Sequence, residues 1–147
     1  MVAAIELTQK AIDSMVAKKF GRIVNITSGG VKTPLLGLEL SSGARAGLTA
    51  FMAGVARSVA ASNVTVNFLL PGAFATERLQ SNFAANAKKR GVSVEQVKAE
   101  RTAAIPAKRI GDPAEFGAAC AFLCSTQAGY ITGQNLLIDG GTFNGAF

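Results

Sequence analysis

The first twenty residues carry apolar side chains at a helical period. Positions on one side of this segment recur every three or four residues, namely Ala4, Leu7, Ala11 and Met15, with Ile5, Ile12 and Val16 beside them. This spacing predicts a helix over residues 4–20. Lys18 and Lys19 in its last turn, with Gly21 just beyond, are typical of a helix C-terminus.

Short β-branched strands and helical segments alternate along the rest of the chain. The pattern predicts strands at 22–28, 64–72 and 135–139, and helices at 42–61, 75–89, 94–104 and 113–125. Continuous apolar strands that alternate with helices indicate an α/β doubly wound fold, in which helices cover both faces of a mostly parallel sheet. We expect about three strands in this sheet.

The predicted helix over 42–61 has two different apolar stripes. The bulky stripe holds Ala44, Leu48, Phe51, Met52, Val55 and Val59, and the bare stripe holds Ala46, Gly47, Ala50, Ala53 and Gly54. The bulky stripe is expected to face the core. A bare Gly and Ala surface permits close approach of a neighbouring helix, sheet or second subunit, so we expect a further contact there.

Composition places the chain among packed domains. It has 147 residues, of which 49% are hydrophobic and 16% charged, which suits one domain with its own core. The net charge is +6, and seven of the fifteen basic residues lie between Lys88 and Arg109. This basic run is interpreted as a solvated helix face, or alternatively as a surface for phosphates, an acidic carrier protein or nucleic acid. The absence of interleaved aromatics disfavours nucleic acid.

Cysteine and histidine usage restricts the chemistry. Cys120 and Cys124 are four residues apart within a predicted helix, so they share one face, and we expect reduced core thiols. The sequence has no histidine, which excludes an imidazole base, and it has no further Cys or His to complete a metal site with the two cysteines. No apolar stretch is long enough to span a bilayer and no signal peptide is recognisable, so we expect a cytoplasmic protein.

Four segments together carry a family resemblance. They are "GRIVNITSGG", the positions from Ser41 to Arg45, "VNFLLPGAFATERL" and "RIGDPAEFGAACAFLCSTQAGYITGQNLLIDGG". In this order they resemble the C-terminal half of the short-chain dehydrogenase/reductases, in particular 3-oxoacyl-acyl-carrier-protein reductases. The resemblance implies a single truncated Rossmann-like domain over 1–147 that lacks the N-terminal Gly-rich dinucleotide-binding half. It also implies hydride transfer between NAD or NADP and a small carbonyl compound or secondary alcohol.

The resemblance assigns catalytic positions. Ser28 occupies the position of the family's catalytic serine, whose hydroxyl donates to the substrate carbonyl. A turn-forming role would suit Ser28 as well. The family's tyrosine stands thirteen positions later and its lysine four beyond that, which places Ser41 and Arg45 in the Tyr-x-x-x-Lys motif.

Both substitutions weaken the expected catalysis. An aliphatic hydroxyl is a much weaker acid than a phenol with a pKa near 10, and general acid catalysis typically contributes ~10²- to 10⁴-fold. Arg45 keeps the positive charge and the ability to bind a ribose, but it is planar and permanently protonated. We therefore expect the chain alone to be a weak or inactive reductase.

The resemblance also assigns residues to the cofactor. Pro71, Gly72, Phe74 and Thr76 match the family's loop that holds the nicotinamide carboxamide, and Arg45 matches the ribose-binding position. Thr76 would serve equally well as the N-cap of the helix that follows. The Gly-rich phosphate loop has no counterpart in the sequence, so cofactor binding by the isolated chain is in doubt.

Three functions remain open from the sequence. The chain is the catalytic half of an NAD(P)-dependent reductase, or a non-catalytic remnant that acts as a dimerisation or interaction module, or a binder of acyl carrier protein, a CoA ester or nucleic acid through the basic run. The resemblance implies a homo-oligomer that pairs through the helices at 4–20 and 42–61. No membrane partner is expected.

Overall fold

The computed structural model of the chain describes residues 1–146, which form five α-helices and three β-strands. In chain order they are α1 (Val2–Ala17), β1 (Gly21–Ile26), α2 (Glu39–Val59), β2 (Val64–Pro71), α3 (Glu77–Arg90), α4 (Val94–Ala104), α5 (Pro113–Cys124) and β3 (Asn135–Ile138). Every predicted element is present, with ends displaced by three residues at most. At the start of α5, Asp112 and Glu115 form a reciprocal capping box around Pro113.

The three strands form one parallel sheet in the order β1-β2-β3. Gly21 of β1 is paired with Val64 of β2, and Phe68 of β2 with Asn135 of β3. The central strand β2 is buried over residues 64–70, because neighbouring strands and helices on both faces cover it. The predicted α/β fold is confirmed, and the carboxyl ends of all three strands meet at one edge of the sheet.

Helices cover both faces of the sheet. On one face α2 packs Leu48, Met52 and Ala56 against Val66, Phe68 and Leu70 of β2. On the other face Leu123 of α5 packs with Leu69 and Ala128. Helices α3 and α4 form a separate hairpin with its own small apolar cluster of Phe83, Ala87 and Val97. The hairpin therefore stands beside the sheet, next to its carboxyl edge.

The end of α1 differs from the sequence prediction. The helix ends at Ala17, and Lys19 rather than a glycine takes the left-handed conformation, with φ of 52°. Gly21 is instead the first residue of β1. A Cβ at Gly21 would lie 2.7 Å from the Met15 side chain, so glycine is needed here for the close approach of strand and helix.

The bulky stripe of α2, which was predicted to face the core, is buried only in part. Leu48 and Met52 are buried as expected, but Ala44 and Phe51 are exposed, and Phe51 retains 47% of its accessible surface. The buried face turns slightly around the helix, because Ser42 and Ala56 take part in the contact with the sheet region. All five residues of the bare stripe are exposed, although a Cβ at Gly47 would lie 3.3 Å from the Met1 sulfur.

The two cysteines are not equivalent. Both are free thiols, but only Cys120 packs against the core, and the expectation of a core position for Cys124 is wrong. The face of α5 that meets the sheet runs through Phe116, Ala119 and Leu123, and Cys124 lies past its edge. Desolvation, with a further contribution from Cys120, raises the pKa of the Cys124 thiol. No helix among residues 1–146 is long and apolar enough to cross a membrane.

Candidate active site at the carboxyl edge of the sheet

A cavity of about 380 Å³ opens where the strands end. The segment after β1, the end of β2 and the segment after β3 each contribute to its wall. The residues that line it are Ser28, Gly29, Gly30, Thr33, Leu35, Pro71, Gly72, Arg101, Leu137, Asp139, Thr142, Phe143 and Asn144. Its position follows the general rule that parallel α/β sheets bind ligands outside the carboxyl ends of their strands.

Ser28 lies in the wall of this cavity at the N-terminus of a short 3-10 turn, Gly29–Val31. Its Oγ accepts a hydrogen bond from the Gly30 backbone N–H at 3.1 Å. This contact uses an acceptor position of the hydroxyl and leaves its hydrogen able to donate. The turn-forming and carbonyl-binding roles expected from the sequence are therefore compatible in the same side chain.

Ser41 and Arg45 lie one turn apart near the start of α2. The Arg45 Nη1 donates to the Ser41 backbone carbonyl at 3.3 Å and also contacts the Ser41 hydroxyl. Neither residue lines the cavity that contains Ser28. The structure thus brings Ser41 and Arg45 together but does not place them in one cavity wall with Ser28.

Ser42, to which the sequence analysis assigned no role, follows Ser41 on α2 and approaches the turn that contains Ser28 and Gly30. It is buried, and a Cβ added at Gly30 would lie 3.2 Å from the Ser42 Oγ and 3.4 Å from the Ser28 Oγ. Two hydroxyls therefore converge on the same glycine. The apolar spacing of α2 gave no signal for this contact, because Ser42 precedes the predicted core stripe.

Pro71 and Gly72 form the part of the wall that follows β2. The Gly72 backbone N–H donates to the Ile138 carbonyl at 2.8 Å, which extends the pairing of β2 with β3 by one residue. A Cβ at Gly72 would lie 2.6 Å from both Cα and Cβ of Asp139. Only glycine allows the two chain segments to approach this closely at the sheet edge.

Phe74 and Thr76 lie outside the cavity wall. The Phe74 ring packs edge-to-face on Phe116, with ring centroids 5.2 Å apart. Thr76 is exposed and is the N-cap of α3, where its hydroxyl accepts from the Leu79 backbone N–H at 3.3 Å. The alternative capping role expected for Thr76 is thus present.

The basic run is partly neutralised by neighbouring carboxylates. Arg90 pairs with Glu100 at 2.7 Å, and Arg109 pairs with Glu115 at 2.6 Å. The Arg109 hydrogen bond, followed by the one from the Asp112 backbone, lowers the pKa of Glu115 to about 2. These pairs favour a structural role for much of the run.

The fold and the cavity define a class of protein: the C-terminal half of a Rossmann-like sheet with a ligand cavity at the strand ends. A family model described as enoyl-(acyl-carrier-protein) reductase matches residues 1–142. The chain therefore belongs to the short-chain dehydrogenase/reductase family, as the sequence motifs indicated.

Individual relatives agree with this assignment. The NADPH-dependent reductase BacG of Bacillus subtilis is 36% identical over 141 residues, which cover 96% of this chain and 54% of BacG. The 3-oxoacyl-[acyl-carrier-protein] reductase FabG of Haemophilus influenzae is 34% identical over 143 residues, or 97% of this chain and 54% of FabG. The chain spans about half the length of these curated relatives.

Solved structures agree as well. The crystal structure of YwfH, an NADPH-dependent reductase involved in bacilysin biosynthesis, matches with a TM-score of 0.91 and 34% identity. The match covers 98% of this chain and 55% of YwfH. An actinorhodin polyketide ketoreductase with NADPH matches with a TM-score of 0.82 and 30% identity over 89% of this chain and 50% of the ketoreductase.

Proposed function

We propose that this chain is the carbonyl-binding half of an NAD(P)-dependent oxidoreductase. The proposed reaction is on a small carbonyl compound or secondary alcohol. The observation that carries the proposal is the free donor hydrogen of Ser28 in the wall of a cavity at the carboxyl edge of the sheet. Relatives that cover the whole chain are NADPH-dependent and 3-oxoacyl reductases.

The proposed role of Ser28 is to donate a hydrogen bond to the substrate carbonyl oxygen. Negative charge grows on this oxygen during reduction, so a fixed donor stabilises the transition state more than the ground state. The hydrogen bond from the Gly30 N–H fixes the position of the Ser28 Oγ, so the hydroxyl needs little reorganisation to bind the carbonyl oxygen. Removing one such donor typically lowers a rate by ~10²- to 10³-fold.

Ser41 is a poor proton donor in this arrangement. Its hydroxyl is a far weaker acid than a phenol, and one neighbouring guanidinium does not close that gap. Arg45 keeps a positive charge beside the position and still has nitrogen donors beyond the Nη1 that contacts Ser41. We therefore propose slow reduction at best, with Ser28 as the main catalytic residue and with Ser41 and Arg45 as supporting ones.

The residues present fit the nicotinamide end of NAD or NADP better than its phosphates. Pro71 and Gly72 offer backbone groups in the cavity wall at the end of β2. Outside that wall, Arg45 offers guanidinium donors, and Phe74 and Thr76 offer backbone groups and a hydroxyl. When bound, the reduced nicotinamide supplies the hydride. No strand among residues 1–146 leads through a Gly-rich turn into a helix N-terminus, the usual pyrophosphate site. Cofactor binding by the chain alone should accordingly be weak.

Binding of NADPH and NADH to the purified chain tests this function. We expect weak but saturable binding by calorimetry, and slow NADPH oxidation with a small ketone that Ser28→Ala abolishes. Ser81→Ala is the matched control, because Ser81 is an exposed serine on α3 outside the cavity. No saturable binding up to millimolar cofactor would rule out the oxidoreductase function for the isolated chain.

A second function, a dimerisation or interaction module, is favoured by the exposed faces of α1 and α2. Leu7 and Phe51 retain 69% and 47% of their accessible surface, and the bare Gly and Ala stripe of α2 is exposed. Light scattering after size exclusion is expected to give a dimer for the chain and a monomer for Phe51→Glu. A monomeric wild-type chain would remove the support for this function.

A further inference from the structure

The described wall of the cavity includes one cation, Arg101 of α4. A volume of about 380 Å³ is at the small end of the range for small-molecule sites. Ser28 and Arg101 are therefore two polar anchors that a single compact ligand can reach together. One is a neutral hydrogen-bond donor and the other is a permanent positive charge.

Arg101 has no carboxylate partner within residues 1–146. The adjacent Glu100 is paired with Arg90, whose guanidinium lies 2.7 Å from it, and Arg109 is paired with Glu115. Arg101 also donates no side-chain hydrogen bond to any residue in this range. It differs in both respects from the two paired arginines of the basic run.

The other charges around the cavity do not neutralise Arg101. Asp139 is the one acidic residue in the described wall, and its two oxygens accept from the Gly141 and Phe143 backbone N–H groups at 2.9 and 2.8 Å. Those bonds engage Asp139 in the turn after β3. A second cation lies at the rim, where the Lys32 Nζ is 5.5 Å from the centroid of the Phe143 ring. The described wall thus holds one positive and one negative charge, and of these two side chains only Arg101 has no partner within residues 1–146.

We propose that Arg101 selects a carbonyl substrate that carries a free carboxylate. In this arrangement Ser28 holds the carbonyl oxygen and Arg101 pairs with the carboxylate, because a planar guanidinium matches the two oxygens of a carboxylate. The inference rests on the proposed function for the role of Ser28. It narrows the substrate from any small carbonyl compound to a short oxo acid, and it excludes an oxoacyl thioester as the preferred ligand.

Binding of acetoacetate and of its uncharged methyl ester tests the proposal without any cofactor. Nuclear magnetic resonance titration of the isotope-labelled chain gives both affinities and locates the ligand through the Gly29 and Gly30 amide signals. We expect the acid to bind about 1.5- to fivefold more tightly than the ester, the range for one exposed ion pair. Arg101→Gln should abolish this preference, and Arg101→Lys should retain part of it.

Lys98→Gln is the matched control, since it removes one positive charge from the same helix but from outside the cavity wall. It should keep the preference for the acid. The amide spectrum of Arg101→Gln reports whether that variant is folded, and Arg101→Lys provides the comparison if it is not. Equal binding of acid and ester to the wild-type chain, binding of neither, or a preference that survives Arg101→Gln would overturn the proposal. So would tighter binding of acetoacetyl-CoA that does not depend on Arg101.

Failure of this inference is distinguishable from failure of the proposed function. A preference for the acid that depends on Arg101, in a chain that binds no NADPH, would support the carboxylate site and contradict the oxidoreductase. NADPH binding without a preference for the acid over its ester would support the oxidoreductase and contradict the carboxylate site.

Discussion

The Arg45 guanidinium donates to Ser41 one turn earlier on α2, at 3.3 Å to its backbone carbonyl and also to its hydroxyl. The motif spacing predicts that this pair stands where related reductases place tyrosine and lysine. The positive charge of Arg45 therefore lies beside Ser41, which carries a hydroxyl group where a tyrosine would carry a phenol. Arg45 is therefore placed to lower the pKa of an acidic side chain at position 41, although the serine there is not acidic.

Ser41→Tyr should therefore create a phenol with a depressed pKa. We expect a value about one unit below the ordinary 10, because a cation within a few ångströms favours the phenolate. Ultraviolet difference titration measures it in a Tyr130→Phe background, since Tyr130 is the one native tyrosine and is fully exposed. Adding Arg45→Gln should return the pKa to its ordinary value, and an unchanged pKa in both variants would contradict the proposed electrostatic coupling.

Thr76→Ala should lower the free energy of unfolding by about 1 kcal/mol. The hydroxyl caps the N-terminus of α3 through the Leu79 N–H, and loss of a side-chain cap typically has this cost. Urea unfolding measures the change. Thr76→Asp is the matched variant, because aspartate also caps a helix but carries no donor hydrogen when ionised. If Thr76 also binds the nicotinamide, Thr76→Asp should keep the stability but weaken NADPH binding.

Gly72→Ala should destabilise the fold by about 1–3 kcal/mol. The added methyl group would lie 2.6 Å from the Asp139 Cα, so one of the two segments at the sheet edge must move. Gly117→Ala is the control, because Gly117 is in α5 with open space around its α-carbon and alanine favours the helix. Thermal unfolding should give opposite signs for the two substitutions, and equal effects would argue against the close approach at Gly72.

The stability of the chain should fall in acid partly through Glu115. Its pKa in the folded chain is about 2, below the ordinary 4.5, chiefly because Arg109 donates to the carboxylate. The ionised form is thus favoured in the folded state, so this stabilisation is complete above the ordinary pKa and is lost as the pH falls through about 2.

Glu115→Gln should make the loss of stability between about pH 4.5 and pH 2 shallower than in the wild-type chain. Chemical unfolding at a series of pH values measures the slope. Glu6→Gln is the control, since Glu6 forms no ion pair within residues 1–146. The same slope in Glu115→Gln and the wild-type chain would count against the Arg109 contact.

The order and type of the elements could be predicted from the sequence because each has a local cause. The helix over 94–104 lies where its apolar period places it, and β2 follows from an uninterrupted apolar run. Errors occurred where long-range packing outweighed local signals. Gly21 is a typical helix stop in sequence, but its pairing with Val64 of β2 makes it the start of β1.

The candidate site, like the fold, could be predicted from the sequence only in part. The family motif, applied through residue spacing alone, predicts catalytic positions at Ser28, Ser41 and Arg45 and a weaker acid at Ser41, because motif spacing is a property of the chain itself. Only the tertiary structure separated Ser28 in the cavity wall from Ser41 and Arg45 outside it, and only packing brought Ser42 to Gly30. Arg101 is 73 residues from Ser28 in the sequence, so its place in the same cavity depends on how the α3–α4 hairpin meets the sheet edge. No local pattern encodes that contact.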